Sequence, residues 1–168
     1  MDIRIAGTAN DSIVDGPGLR FTLFTQGCPH KCPGCHNPQT HDFNGGEITD
    51  TSAVIEQIRK NPLLDGVTFS GGEPFCQTKP LCEIASEIKG SGLNIVTYTG
   101  YTFEYLLEHS DSSNGFMDLL ECTDILIDGR FELDKRTLDA EFRGSSNQRM
   151  LDCRESLRQK KAVEYTVQ

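Results

Sequence analysis

The 168-residue sequence has no run of apolar residues long enough to cross a bilayer, and its first stretch, MDIRIAGTANDSIVDGPG, lacks a basic start leading into an apolar segment. Neither a membrane span nor a secretory leader is expected, so the protein is expected to be cytoplasmic. Positive charge is scarce: 16 Lys and Arg face 25 Asp and Glu, a formal net charge of −9. Nucleic acid and anionic membrane would both be repelled, and neither is expected as a partner. Tryptophan is absent, which excludes nothing. There is no internal repeat, low-complexity segment or interdomain linker. An apolar fraction of 36% is enough for one core but not two, so residues 1–168 are expected to form a single domain.

Cysteine, by contrast, is concentrated. The seven cysteines are an odd number, and Cys28, Cys32 and Cys35 crowd into one short loop, which fits a metal or redox site better than a disulfide framework. Residues 19–26, LRFTLFTQ, read as a strand delivering the chain into that loop, where three prolines disfavour regular structure. A helix is expected over 51–60, with Val54, Ile55 and Ile58 on one face, stopped at Asn61-Pro62. A short strand over 66–70 is followed by a turn at 71–74. A helix over 79–89 places Leu81, Ile84, Ala85 and Ile88 on one side. Strands at 93–98 and 124–129 bracket a helix over about 102–109, a polar loop and a short helix; the tail from 145 onwards shows no clear pattern.

Strands alternating with helices indicate βαβ units and a mostly parallel sheet. Five or six such units are too few for a closed eight-stranded barrel, so the expected fold is α/β, an open partial (β/α) barrel. In such architectures functional groups gather at the C-terminal ends of strands. Cys28, Gly71-Gly72-Glu73-Pro74, Tyr98-Thr99-Gly100 and Asp128-Gly129 all fall there.

Three thiolates at these spacings can hold one [4Fe–4S] cube and leave its fourth iron without a protein ligand. Zinc is the main alternative, in a Cys₃His site completed by His30, His36 or His41, which would make the chain a zinc-stabilised binding module. A dithiol at Cys32-Pro-Gly-Cys35 and plain buried thiols are the others. TFSGGEPF at 68–75 adds two glycines whose bare backbone could approach a ligand, and Glu73, which could accept from an ammonium; an ordinary turn reads equally well. Of the remaining cysteines, Cys82, Cys122 and Cys153 read as small buried hydrophobes, and Cys76 is set apart by its nearness to the turn. His30 and His41 read as loop surface. Arg143 and Arg149, flanking GSSN, read either as solvated charge or as contacts to a partner or a ligand carboxylate.

Cys28-PHK-Cys32-PG-Cys35 followed by Gly71-Gly72-Glu73-Pro74 resembles the signature of the radical S-adenosylmethionine superfamily. The usual aromatic residue before the third cysteine is here Gly34. Within that superfamily FTQGCPHKCPGCHNPQT at 24–40, YTGYTFE at 98–104, DILIDGRF at 124–131 and FRGSSNQR at 142–149 are similar to the activating enzymes of anaerobic (class III) ribonucleoside-triphosphate reductases. DGPGLR at 15–20 and CHN at 35–37 resemble the activating enzymes of pyruvate formate-lyase equally well.

The resemblance implies a cluster on Cys28, Cys32 and Cys35, with S-adenosylmethionine beside Gly34, Cys35 and His36. Its methionine end would meet Gly72 and Glu73 at a turn shaped by Ser70 and Gly71. Thr97, Tyr98 and Thr99 would reach its ribose or carboxylate, and Asp128 would lie near the active site beside a monovalent cation. It further implies flavodoxin or ferredoxin as electron donor. The glycyl radical subunit of the reductase would be the substrate, attacked by a 5′-deoxyadenosyl radical with no general base. Glycine suits that role because it lets a bare backbone into a narrow site.

Overall fold

Side-chain alternation along four central strands sorts residues onto two buried surfaces, and everything near the cysteines follows from it. The computed structural model describes residues 1–166. In chain order it contains β1 (Asp2–Ser12), β2 (Arg20–Thr25), β3 (Glu47–Asp50), α1 (Thr51–Arg59), β4 (Gly66–Gly71), α2 (Thr78–Ile88) and β5 (Asn94–Tyr98). Then follow α3 (Phe103–Glu108), α4 (Phe116–Cys122), β6 (Ile125–Asp128), β7 (Arg149–Asp152) and α5 (Cys153–Gln159). The sheet has seven strands in the order β3-β1-β2-β4-β5-β6-β7. Neighbours among β2, β4, β5 and β6 run parallel, while β3, β1 and β7 attach antiparallel at the flanks. The two end strands do not pair, so the sheet is open. No helix among the described residues is long and apolar enough to cross a membrane.

On the helix-bearing face, Phe21, Leu23, Val67, Phe69, Ile95 and Leu126 meet the apolar stripes of the helices, and all are buried. The expected helix faces are confirmed: Val54, Ile55 and Ile58 of α1 and Leu81, Ile84, Ala85 and Ile88 of α2 all lie in this core. Side-chain caps start the helices, Asp50 accepting from Ser52 N, Thr102 from Tyr105 N and Asp152 from Glu155 N. The opposite, concave face carries a smaller cluster, Val96, Ile125, Ile127 and Met150, beside a polar plug. In that plug the fully buried Arg20 donates from Nε to Thr68 Oγ1 at 2.7 Å and from Nη2 to Val67 O at 2.9 Å. Loss of water outweighs its acidic neighbours and lowers its pKa to about 10. The DGPGLR stretch thus closes one end of the concave face: Thr68 Oγ1 donates in turn to Asp15 O at 2.8 Å, and Asp15 Oδ2 accepts from Thr22 at 3.1 Å.

The edge strands were not legible in the sequence. β1 is half exposed along its length, with only Ile3 and Ile5 buried, and β7 is four residues long. β7 nevertheless places Arg149 against the end of β6. Its guanidinium donates to Asp128 at 3.0 and 2.6 Å and to Glu104 at 3.0 and 2.7 Å, and Asp128 is 1% exposed. Replacing Arg149 by methionine leaves a buried carboxylate without its cation. Because Arg149 is itself about a third exposed, the expected loss is ~1–3 kcal/mol, below that of a fully buried pair. Urea denaturation checks it; an unchanged midpoint would show that water compensates Asp128.

Candidate active site

The chain leaves β2 at Thr25 and enters the cysteine loop at the C-terminal edge of the parallel strands. The loop is tied down at its base, where Gly27 N donates to Thr40 O at 2.7 Å and Cys28 N to His41 O at 3.2 Å. In the β2–β4 register Thr25 stands opposite Gly71, so the Gly71-Gly72-Glu73 turn lies directly against Gly27. Gly72 N donates to Thr25 O at 2.7 Å and Glu73 N to Gly27 O at 2.8 Å. A Cβ on Gly72 would stand 2.3 Å from Gly27 O, and Gly71, at φ +92°, would place one 2.5 Å from Thr25 N. The glycine pair is required because two backbones meet there.

A cavity of about 570 Å³ opens above this edge. Cys28, Cys32, Cys35 and His36 line one wall, and Ser70, Gly71, Gly72, Tyr98 and Thr99 line the strand-end side. Cys28 is buried, while Cys32 and Cys35 are half-buried. Burial pushes both the Cys28 and Cys32 thiols up, opposed by the N–H groups of His30 and Lys31 at Cys28 and of Phe131 at Cys32. Asn37 N donates to Cys35 Sγ at 3.4 Å. All three thiols line the same cavity, and three cysteine thiolates are the donor set of a [4Fe–4S] cube with one open iron. Among the described residues no three His, Cys, Asp or Glu side chains are gathered closely enough to hold a metal ion.

Gly34 sits at φ +76°, and a Cβ on it would lie 2.8 Å from Leu133 Cδ1 and 3.4 Å from Phe131 Cε1. The space beside the third cysteine is thus filled from the loop after β6, which accounts for the missing aromatic residue in the triad. Phe131 also packs against His36, with ring centroids 5.1 Å apart.

Three of the residues expected beside the cofactor have their side chains engaged with other parts of the chain. Glu73 is fully buried, and its carboxylate accepts from Thr99 Oγ1 at 2.9 and 3.0 Å, Gly100 N at 2.8 Å and Phe75 N at 3.0 Å. His30 Nε2 stands 2.6 Å from the same group. Glu73 therefore joins the cysteine loop to the ends of β4 and β5 and does not face the cavity. Thr97 cannot reach the cavity either: alternation along β5 turns it to the helix side, where its hydroxyl meets that of Thr123 at 2.9 Å. Asp128 caps α3 by accepting from Phe103 N at 2.8 Å and pairs with Arg149, so both its oxygens are engaged by protein groups.

His30, expected on the loop surface, is buried. Its side chain is 4% exposed, packs edge-on against Tyr101 at 4.5 Å, and covers Gly100, where a Cβ would lie 2.4 Å from its ring. Nothing local in Cys-Pro-His-Lys-Cys reveals this, because the partners come from two other strand ends. Among the remaining thiols Cys153 is buried, Cys82 and Cys122 are half-buried against the core, and Cys76 is exposed. Tyr98 donates from its hydroxyl to Phe142 O at 2.6 Å. It thereby anchors the 131–144 loop over the concave face, with Phe142 held at φ +64°, an uncommon conformation for a bulky residue.

Residues 14–151 match the family described as 4Fe-4S single cluster domain. The chain is similar to the anaerobic ribonucleoside-triphosphate reductase-activating protein of Escherichia coli (strain K12), 36% identical over 146 residues, covering 81% of this chain and 90% of that protein. The protein of the same name from Enterobacteria phage T4 is 32% identical over 143 residues, covering 82% and 86%. The pyruvate formate-lyase-activating enzyme of Clostridium pasteurianum is 38% identical over 117 residues, but these are 64% of this chain and 49% of that enzyme. Among solved structures, QueE from Escherichia coli superposes with a TM-score of 0.47 at 18% identity over 61% of this chain and 54% of that one, too weak a likeness to build on.

Proposed function

The chain belongs to the 4Fe-4S single cluster domain family, and from that premise we propose that it is a radical S-adenosylmethionine enzyme that installs a glycyl radical on an anaerobic ribonucleoside-triphosphate reductase. The observation that carries this reading is that Cys28, Cys32 and Cys35 line one cavity together with the Ser70-Gly71-Gly72 turn. Relatives named as reductase-activating proteins match it along most of both chains. Residues 1–168 act as one radical S-adenosylmethionine domain in the cytoplasm, with flavodoxin or ferredoxin as electron donor.

Cys28, Cys32 and Cys35 would hold the cluster, which would supply the electron for reductive cleavage of S-adenosylmethionine to methionine and a 5′-deoxyadenosyl radical able to take a hydrogen atom from the partner's glycine. The chain's own residues hold and position. Cys28, Cys32 and Cys35 would give up their protons to become ligands, a step that iron favours and that burial opposes at Cys28 and Cys32. Gly34, Cys35 and His36 flank the cofactor on the loop side, and Ser70, Gly71, Gly72, Tyr98 and Thr99 on the strand-end side. Glu73 and Asp128 act from behind, Glu73 through Thr99 and His30 and Asp128 through α3, while Thr97 supports the end of β5 from the helix side. No side chain is needed as a general base, because the transferred species is a hydrogen atom. The open edge of the sheet admits a peptide loop from the side.

The test is anaerobic mixing of reconstituted, reduced protein with S-adenosylmethionine and the reductase, read by electron paramagnetic resonance. A glycyl doublet is expected. 5′-Deoxyadenosine without a doublet would move the partner to pyruvate formate-lyase, and a colourless protein holding stoichiometric zinc would overturn the cluster itself.

A further inference from the structure

We infer that Arg130, Arg136 and Arg143 form a docking rim for a carboxylate-bearing segment of the protein whose glycine is activated; the inference rests on the proposed function. All three arginines line the cavity, Arg130 directly after β6 and the other two on the 131–144 loop. The other six arginines of the chain are engaged: four in ion pairs with Glu87, Asp128, Asp124 and Glu155, and Arg4 and Arg20 with backbone and hydroxyl oxygens. The side chains of Arg130 and Arg136 are exposed and make no hydrogen bond or ion pair among the described residues, and Arg143 meets only the carbonyl of Glu141 at 3.1 Å. The sole acid in the lining, Asp15, is turned to the Ser12 and Thr22 hydroxyls.

The chemistry of the small-molecule ligand does not account for this rim. S-adenosylmethionine offers one carboxylate beside a cationic ammonium and a cationic sulfonium, so three guanidiniums exceed what it can pair and repel the rest of it. Arg130 and Arg136 have exposed side chains at the mouth. They are accompanied by two apolar side chains that also line the mouth, Val14 at 70% and Leu138 at 92% exposure. Arginine around exposed apolar anchors is the composition of a protein-binding surface. In a chain of net charge −9, a locally basic mouth draws an acidic segment to that one place and repels it elsewhere, which orients the encounter.

The experiment uses the reconstituted enzyme with Arg130→Glu and Arg136→Glu combined, and a control with the same charge change on exposed lysines remote from the rim, Lys79→Glu and Lys161→Glu. The Kd for the reductase is measured at low and at high salt, with the KM for S-adenosylmethionine and 5′-deoxyadenosine formation measured without reductase under dithionite. The rim variant is expected to weaken reductase binding on the order of tenfold at low salt and to lose most of its salt dependence. The KM should stay unchanged, and the control should bind as wild type does. Unchanged reductase binding, or equal weakening in the control, overturns the proposal. A raised KM instead would assign the arginines to the S-adenosylmethionine carboxylate, and a defect confined to flavodoxin-driven turnover would assign them to the electron donor; both also overturn it. Arg130→Gln with Arg136→Gln repeats the test should the reversed charges disturb folding. Failure of the proposed function itself looks different: wild-type enzyme would then form no 5′-deoxyadenosine at all.

Discussion

Replacing Cys32 by alanine is expected to abolish 5′-deoxyadenosine formation and to strip the anaerobically reconstituted protein of its brown colour. Cys32 is the middle member of the triad and, like Cys28 and Cys35, lines the cavity. Two thiolates cannot hold a cube that needs at least three protein ligands to leave only one iron open. The size of the effect comes from chemistry and not from stability, because the loop remains fastened at Gly27 and Cys28 through Thr40 and His41. Cys122→Ala is the matched control. It removes a half-buried thiol on α4, away from the cavity, and should leave cleavage near the wild-type rate. Iron content, absorbance and 5′-deoxyadenosine are measured together. Cleavage retained in Cys32→Ala would reject the triad as ligands.

Glu73→Ala is expected to destabilise the protein by ~3–5 kcal/mol, the range for removing one partner from a buried charged network. The carboxylate is the meeting point of three chain segments: His30 from the cysteine loop, Phe75 N from its own turn, and Thr99 with Gly100 N from the end of β5. Truncation leaves those donors buried without an acceptor, and the loss should be measurable by denaturation of the protein without cluster or S-adenosylmethionine. That condition matters. A Glu73 that served only to bind the ammonium of S-adenosylmethionine would leave the stability of the cofactor-free protein unchanged while weakening cofactor affinity. Full stability in Glu73→Ala would therefore sink the structural role. Glu73→Gln should lose less, since the amide keeps one acceptor oxygen for the Thr99 and Gly100 donors.

The same motif thus reads differently at the two levels. The spacing of Gly71, Gly72 and Glu73 marks a functional strand end, and the cavity lies there. What a linear reading misassigned was the direction in which the motif acts. Gly72 is bare to let Gly27 O approach, and Glu73 points inward to other strand ends, as does Asp128 toward Arg149 and Phe103. Thr97 faces the helices while its neighbour Tyr98 lines the cavity, because alternate residues of a strand face opposite ways. His30 escaped notice because a histidine between two cysteines is locally indistinguishable from a surface residue until Glu73 and Tyr101 are placed beside it.

By itself the sequence determined the alternation of central strands and helices, the helix faces built on α1 and α2, and the three clustered cysteines with the chemistry that they admit. These follow from local periodicity and ligand spacing, which depend on near neighbours in the chain. The antiparallel flanks, the burial of His30 and Glu73, the filling of the space beside Gly34 by Leu133 and Phe131, and the gathering of Arg130, Arg136 and Arg143 at one mouth were decided only by the tertiary structure. Each depends on which strand ends become neighbours in the sheet. That choice is set by packing energy summed over distant segments, and no window of the sequence contains it.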